Sequence, residues 1–288
     1  MSINFASWNV ESRLSADNFD RRGSPTKIVD EIEALDADVV VLIEAFDGLV
    51  GVSPAIESRL TDLGYEHIVD TPYDDRGGPE RPYPAAGEPN SRILSKLAIQ
   101  ESQIIRPGDL RNMRRFVVTD PASGELVTMY AVHFDDRSPA LRLAQFSELP
   151  AILKEHPGHT LVAGDFNTST GVRAIPRLFN TPIVKATFSR WPGVMGYVGR
   201  NASQMVSGEE LHVFEDLTGL TNADESGELT TTPKLKSMPF WIPAIPMLDI
   251  DHMYYSPDVI LTDFKVMKRD GGPDHRSISA TLSVASPR

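Results

Sequence analysis

The chain has no cysteine among its 288 residues. That absence excludes disulfides, thiolate metal sites and cysteine nucleophiles, and leaves the redox compartment open. Long apolar runs are also missing. None approaches the 18 or more residues that a membrane helix needs, so no membrane span is expected. The start, MSINFASWNV, carries neither a basic segment nor an apolar one, so no secretory signal is expected and cytoplasmic residence is the default. Positive charge is scarce: 28 Lys and Arg stand against 40 Asp and Glu, a formal net charge of −12. Proteins whose affinity comes from neutralising many phosphates are usually basic, which counts against tight non-specific binding to duplex DNA. No internal repeat, low-complexity tract or linker breaks the chain, so residues 1–288 read as one domain.

What is present is an ordinary globular composition, 41% apolar and 24% charged. Several short apolar runs end in a polar residue. Residues 3–8 run into Asn9, and the β-branched run 39–43 stops at Glu44. Residues 126–132 stop at His133, and 160–164 stop at Asp165, followed by Phe166 and Asn167. Runs this short and unbroken read as strands buried on both faces. A buried carboxylate is costly unless it is paired or bound to metal, so four such endings predict one shared polar site. Helices are expected over 26–35, over 53–63 with Pro54 at its first position, and over 138–153 with Ser138 as N-cap. Further strands are expected near 65–69, 92–99, 103–106, 115–119, 250–255, 264–267 and 277–284, with a hairpin turn at 120–124. Residues 70–90 and 181–247 read as loops. The pattern is neither strict βαβ alternation nor pure β, and suits two packed sheets with helices outside.

The polar set comprises Asn9, Glu44, His133, Asp165, Asn167, Asp251, Asp274 and His275. It holds hard oxygen ligands, amides and two imidazoles. The lack of Cys and of clustered His argues against zinc. Mg²⁺ takes one or two carboxylates and completes its shell with water and substrate phosphate, and Glu44 is the best ligand candidate. The amides of Asn9 and Asn167 can hold an oxygen or a phosphate without adding charge. An Asp251–His275 pair would hold the imidazole in one tautomer and raise its pKa toward neutrality. His252 reads as structural or exposed, not catalytic. The cluster Arg106, Arg111, Arg114 and Arg115 meets a phosphate backbone or forms a solvated edge that balances the acidic surface. Trp191, Tyr197, Phe240 and Trp241 stack on a base, cover a lipid or anchor their loop. The Ser-x-x-Lys match at 24–27 lacks its companion motifs and is a chance one. The sequon at 201–203 has no bearing without secretion.

Taken in order, these motifs resemble the endonuclease/exonuclease/phosphatase superfamily, also called deoxyribonuclease-I-like. The matching residues are Trp8-Asn9, Glu44 closing VVVLIE, Ile93-Leu94-Ser95-Lys96, and His133 in YAVHFDD. Gly164-Asp165-Phe166-Asn167, Ile250-Asp251-His252-Met253 and Pro273-Asp274-His275-Arg276 complete the set. The resemblance implies a four-layer α/β sandwich of two mixed β-sheets flanked by helices, with one metal site at the strand ends. It implies Asn9 and Glu44 at Mg²⁺ (with Mn²⁺ as a substitute) and Asp274 near the metal. It also implies Asp165 and Asn167 beside the scissile phosphate, and His275, oriented by Asp251, on the phosphate or in proton transfer. His133 would bind a phosphate oxygen or protonate the leaving group. Two positions depart from the family pattern: Pro273 stands where Ser is frequent, and Asp249 where Arg is frequent. The implied activity is metal-dependent hydrolysis of a phosphoester, with a nuclease-like phosphodiesterase first and nucleic acid among its candidate substrates. A phosphatase or phospholipase on a small or lipid phosphoester is the alternative, and a non-catalytic binding module on the same fold is the third.

Overall fold

A computed structural model describes residues 2–11, 14, 25–47, 51–71, 89–107, 111–136, 138–170, 181–190, 208–224, 226–231, 248–267 and 275–284. Two βαβ units form its centre. β1 (Ile3–Asn9) and β2 (Val39–Asp47) are parallel, joined through α1 (Pro25–Leu35). β7 (Leu126–His133) and β8 (His159–Asp165) repeat the arrangement through α3 (Pro139–Glu155). The remaining strands pair antiparallel around these cores. They are β3 (His67–Thr71), β4 (Pro89–Ser95), β5 (Ile99–Ile105), β6 (Met113–Thr119), β9 (Thr221–Asn222), β10 (Asp251–Tyr255), β11 (Val259–Val266) and β12 (Ile278–Val284). The result is two mixed six-stranded sheets, ordered β11-β12-β1-β2-β4-β3 and β5-β6-β7-β8-β10-β9. Helices α1 and α2 (Pro54–Asp62) cover the first sheet, while α3 and α5 (Glu209–Thr218) cover the second. This is the four-layer α/β sandwich the motifs imply.

The alternation of side chains explains why the strands read as unbroken apolar runs. Val39, Val41 and Ile43 point between the sheets, against Met129, Ala131, Leu161 and Ala163. Val40 and Leu42 point outward to Ile28, Ile32, Ile56 and Leu60 of the helices. Both faces are dry, so both parities are apolar.

Two sequence expectations change. The run 92–99 is not one strand: β4 ends at Ser95, and β5 begins at Ile99 in the other sheet. Ser95 Oγ bonds to both ends of Leu97, fixing the corner at which the chain changes sheets. The stretch 181–247 is not simply a loop, because it contains α4 (Pro182–Phe188), α5 and β9. Left-handed glycines bound α5, Gly208 at φ 75° and Gly219 at φ 68°, and Leu211 and Phe214 give it a buried face. α5 also carries Glu210, which meets the fully buried Arg142 of α3 through two hydrogen bonds of 2.5 and 2.9 Å. Trp191, Tyr197, Phe240, Trp241, the residue Ser24 and the sequon lie outside the described residues. At the start of α3, Ser138 occupies the cap position without a side-chain capping bond. Among the described residues no helix is long and apolar enough to cross a membrane.

Candidate active site

Strand ends bring the polar set together. Parallel register sets His133 beside Asp165, and antiparallel register sets Asp251 opposite the same Asp165. Gly164 permits this closeness. A Cβ at that position would lie 1.9 Å from the carbonyl oxygen of Val132, so no larger residue fits between β7 and β8. Glu44 arrives by another device. The β2–β4 pairing shifts register between Leu42 and Phe46, and Glu44 takes a left-handed φ of 50° within that irregularity. Such bulges re-aim side chains at functional edges. Asn167 is likewise left-handed, at φ 54°.

Asp165 is the centre of the network. Its Oδ2 accepts from Asn9 Nδ2 at 3.0 Å, and its Oδ1 accepts from the Asn167 backbone N–H at 2.9 Å. Two imidazoles face the same Oδ2, with His133 Nε2 at 3.8 Å and His275 Nε2 at 3.9 Å. His133 Nε2 also lies 3.6 Å from Glu44 Oε1. Behind His275, Nδ1 donates to Asp251, 2.8 Å from Oδ2 and 3.0 Å from Oδ1. A carboxylate only accepts, so this contact leaves His275 Nε2 pointing into the site. Asn167 Nδ2 donates to the carbonyl of Phe134 at 3.0 Å, and Trp8 Nε1 to that of His275 at 3.1 Å. Asn9, Glu44, His133, Asp165, Asn167, Asp251 and His275 thus gather in one linked cluster at the strand ends. Asp274 lies outside the described residues.

The electrostatics are those of uncompensated buried acid. Burial pushes Asp165 up to about 6; His275 opposes the rise and Asp251 adds to it. Burial pushes Glu44 up to about 7, with Arg111 opposing and Asp165 adding. Glu44 keeps 29% of its side chain exposed, which sets it at the mouth of the site. Burial, together with the neighbouring Arg111 and His275, holds His133 well below its ordinary value, so it is neutral at pH 7. The ligand atoms of Asp165, Asp251 and His275 all lie within 4.8 Å of one another. Two carboxylates and an imidazole that close, with the Glu44 carboxylate at the mouth beside His133, give oxygen donors of the kind a hard divalent cation takes.

Arg111 is the residue that sequence reasoning undervalued. Its Nη1 contacts His133 Nε2 and donates to the Phe134 carbonyl at 3.0 Å, and its Nη2 pairs with Asp136 at 2.6 Å. Guanidinium only donates, so His133 Nε2 accepts. The arginine cluster is not a solvated edge: Arg111, Arg114 and Arg115 are all at most 9% exposed. Arg114 binds Thr71, and Arg115 pairs with Glu101 at 2.7 Å; Arg106 is exposed and binds Asn112. Asp249 is also buried. It accepts from the hydroxyls of Ser169 and Thr170 and anchors the chain that follows Asn167. His252 is structural: it bonds to the Thr168 carbonyl at 2.8 Å and packs edge-on to Phe166.

The family model for the Endonuclease/Exonuclease/phosphatase family matches residues 6–275. No protein among curated sequences matches the chain. Solved structures do. An endonuclease/exonuclease/phosphatase from Beutenbergia cavernae superposes with a TM-score of 0.66 at 19% identity, covering 98% of this chain and 72% of that one. A family protein from Bacteroides thetaiotaomicron gives 0.65 at 13% identity, over 98% and 97%. A 3′ phosphatase from Neisseria, bound to a product DNA hairpin, gives 0.62 at 16% identity, over 97% and 98%. At such identities the likeness is one of fold, while the family match rests on the sequence motifs. The chain belongs to the endonuclease/exonuclease/phosphatase family of phosphoester hydrolases.

Proposed function

We propose that the chain is a Mg²⁺-dependent phosphodiesterase of nuclease-like type. The observation that supports this most is the placement of Asp165: buried, pushed up to about 6, aimed by Asn9 and the Asn167 N–H, and faced by two imidazoles. A carboxylate titrating near neutrality and held in fixed orientation suits the work of positioning a water and taking its proton. His275, with Nδ1 committed to Asp251, presents Nε2 toward the phosphate and exchanges a proton there. Neutral His133, whose Nε2 accepts from Arg111, holds that guanidinium at the site, and it would contact a phosphate oxygen or the leaving group by exchanging that bond for an Nε2–H. Asn167 steadies the loop beside the phosphate without adding charge. Asn9 and Glu44, with Asp274, are the residues that would hold the cation. When bound, the cation supplies charge stabilisation to the phosphate oxygens.

Hydrolysis of an aryl phosphodiester but not of its monoester, abolished by EDTA and restored by Mg²⁺ or Mn²⁺, supports this reading. Indifference to chelation overturns the metal assignment. A preference for the monoester moves the assignment to a phosphatase, a reading that the net charge of −12 favours over a DNA-wrapping enzyme. Failure on every phosphoester leaves a binding module.

A further inference from the structure

Asp251 and His275 come from segments that lead into different sheets. Asp251 opens β10 in one, and His275 lies just ahead of β12 in the other. Their 2.8 Å contact therefore spans the seam between two independently paired layers. We propose that Thr231 is the positioning residue that holds this pair, an inference that rests on the hydrolase reading above.

Thr231 and its neighbour form a short strap across the seam. The backbone of Thr231 bridges Leu248 on one side and His275 on the other. Thr231 N–H donates to the Leu248 carbonyl at 2.7 Å, and Arg276 N–H donates to the Thr230 carbonyl at 2.7 Å. Thr230 Oγ1 accepts from the N–H groups of Ile250 and Asp251, each at 3.2 Å. The strap thus grips the backbone next to both partners.

The hydroxyl of Thr231 completes the grip. It lies 3.2 Å from Asp251 Oδ2 and 3.3 Å from His275 Nδ1, and the side chain is buried. The carboxylate has no proton to give, so Oγ1–H donates to Asp251 and its lone pairs face the imidazole N–H. The hydroxyl is one vertex of a triangle whose other two are the carboxylate and the ring. Without it, Asp251 Oδ2 loses a donor in a dry site, the carboxylate turns more freely, and His275 Nε2 is no longer kept on Asp165. Thr231 reaches no reacting atom itself.

The test compares Thr231→Val, which keeps the shape, with Thr231→Ser, which keeps the hydroxyl. The probe is bis(4-nitrophenyl) phosphate with Mg²⁺. Thr231→Val should lower kcat about 10- to 100-fold, the span of one hydrogen bond to a buried charge, with KM little changed. Thr231→Ser should recover most of the turnover. In protein labelled with ¹⁵N-histidine, the His275 Nδ1–H signal should be slow to exchange in the parent and in Thr231→Ser, and lost in Thr231→Val. Parent-like kcat in Thr231→Val, equal damage in both variants, or an unchanged Nδ1–H signal in Thr231→Val would each overturn the proposal. If Thr231→Val does not fold, Thr231→Ala replaces it under the same criteria. A parent inactive on the diester sinks the hydrolase reading alone, and the NMR comparison then decides the role of Thr231.

Discussion

Asp165 and Asp251 are directly opposed in the antiparallel pairing of β8 with β10, and both are almost fully buried. Two carboxylates set that way, with His275 between their functional ends, would work as one device under the proposed function. Asp165→Asn keeps the size and removes the charge. It should lower turnover of an aryl phosphodiester with Mg²⁺ by about 10²- to 10⁴-fold, the usual worth of a proton-transfer group. The double variant Asp165→Asn/His275→Ala should lose little more than the worse single one, because groups acting as a unit do not add. Fully additive losses in steady-state kinetics would separate the two residues.

Stability without metal should depend on pH through Glu44. Its carboxyl titrates near 7 in the folded chain and at 4.5 as an ordinary glutamate. The folded state keeps that proton longer. Its stabilising effect is therefore complete below about 4.5 and is lost as pH rises through about 7. Each pK unit corresponds to about 1.4 kcal/mol, and water at the mouth of the site trims the share. In EDTA, Glu44→Gln should therefore gain on the parent in thermal melts as pH climbs from 4.5 to 7.5. Parallel curves would remove Glu44 from the acidic cluster. Mg²⁺ should raise the melting temperature at the upper end of that range and hardly at the lower, since ligands bind deprotonated.

Gly164→Ala tests the close approach of β7 and β8. The added methyl meets the Val132 carbonyl at 1.9 Å, and backbone on both sides cannot yield cheaply. The loss in urea denaturation should reach or exceed about 3 kcal/mol, the upper part of the common range for single substitutions. A loss under about 1 kcal/mol would show that the strands part easily.

Glu210→Gln tests whether α5 is bolted to the body of the protein. Arg142 is fully buried, and its remaining Nη1 donates to the Asp135 carbonyl at 2.9 Å, two residues past His133. Removing one charge of a buried pair costs about 3–5 kcal/mol. Chemical denaturation should show that loss. A near-neutral result would mean that Arg142 finds another acceptor.

Much of the candidate site was legible because strands buried on both faces advertise themselves, and each such run stopped at a polar side chain: Asn9, Glu44, His133, Asp165. The ordered motifs then supplied Asn167, Asp251 and His275. Arg111 was not legible. It stands in a basic stretch whose charge balance says nothing of burial, and its partners His133, Phe134 and Asp136 lie more than 20 residues away. Thr231 was hidden for a related reason, since a lone threonine carries no pattern until two sheets bring Asp251 and His275 to it. The β4–β5 corner was masked because apolar residues flank it on both sides, Ile93-Leu94 before and Leu97-Ala98-Ile99 after, and only Ser95-Lys96 interrupts them. α5 did leave a signal, glycines at 208 and 219 around Leu211 and Phe214, but the Pro- and Gly-rich surroundings obscured it.

The left-handed backbones of Glu44 and Asn167 set a direction for laboratory evolution. A non-glycine residue held there costs on the order of 1 kcal/mol, which glycine would recover. A library screened for heat tolerance alone should drift toward Glu44→Gly and Asn167→Gly and shed its chemistry as it hardens. Selection that couples heat to turnover should leave both positions untouched and seek its gains far from the rim.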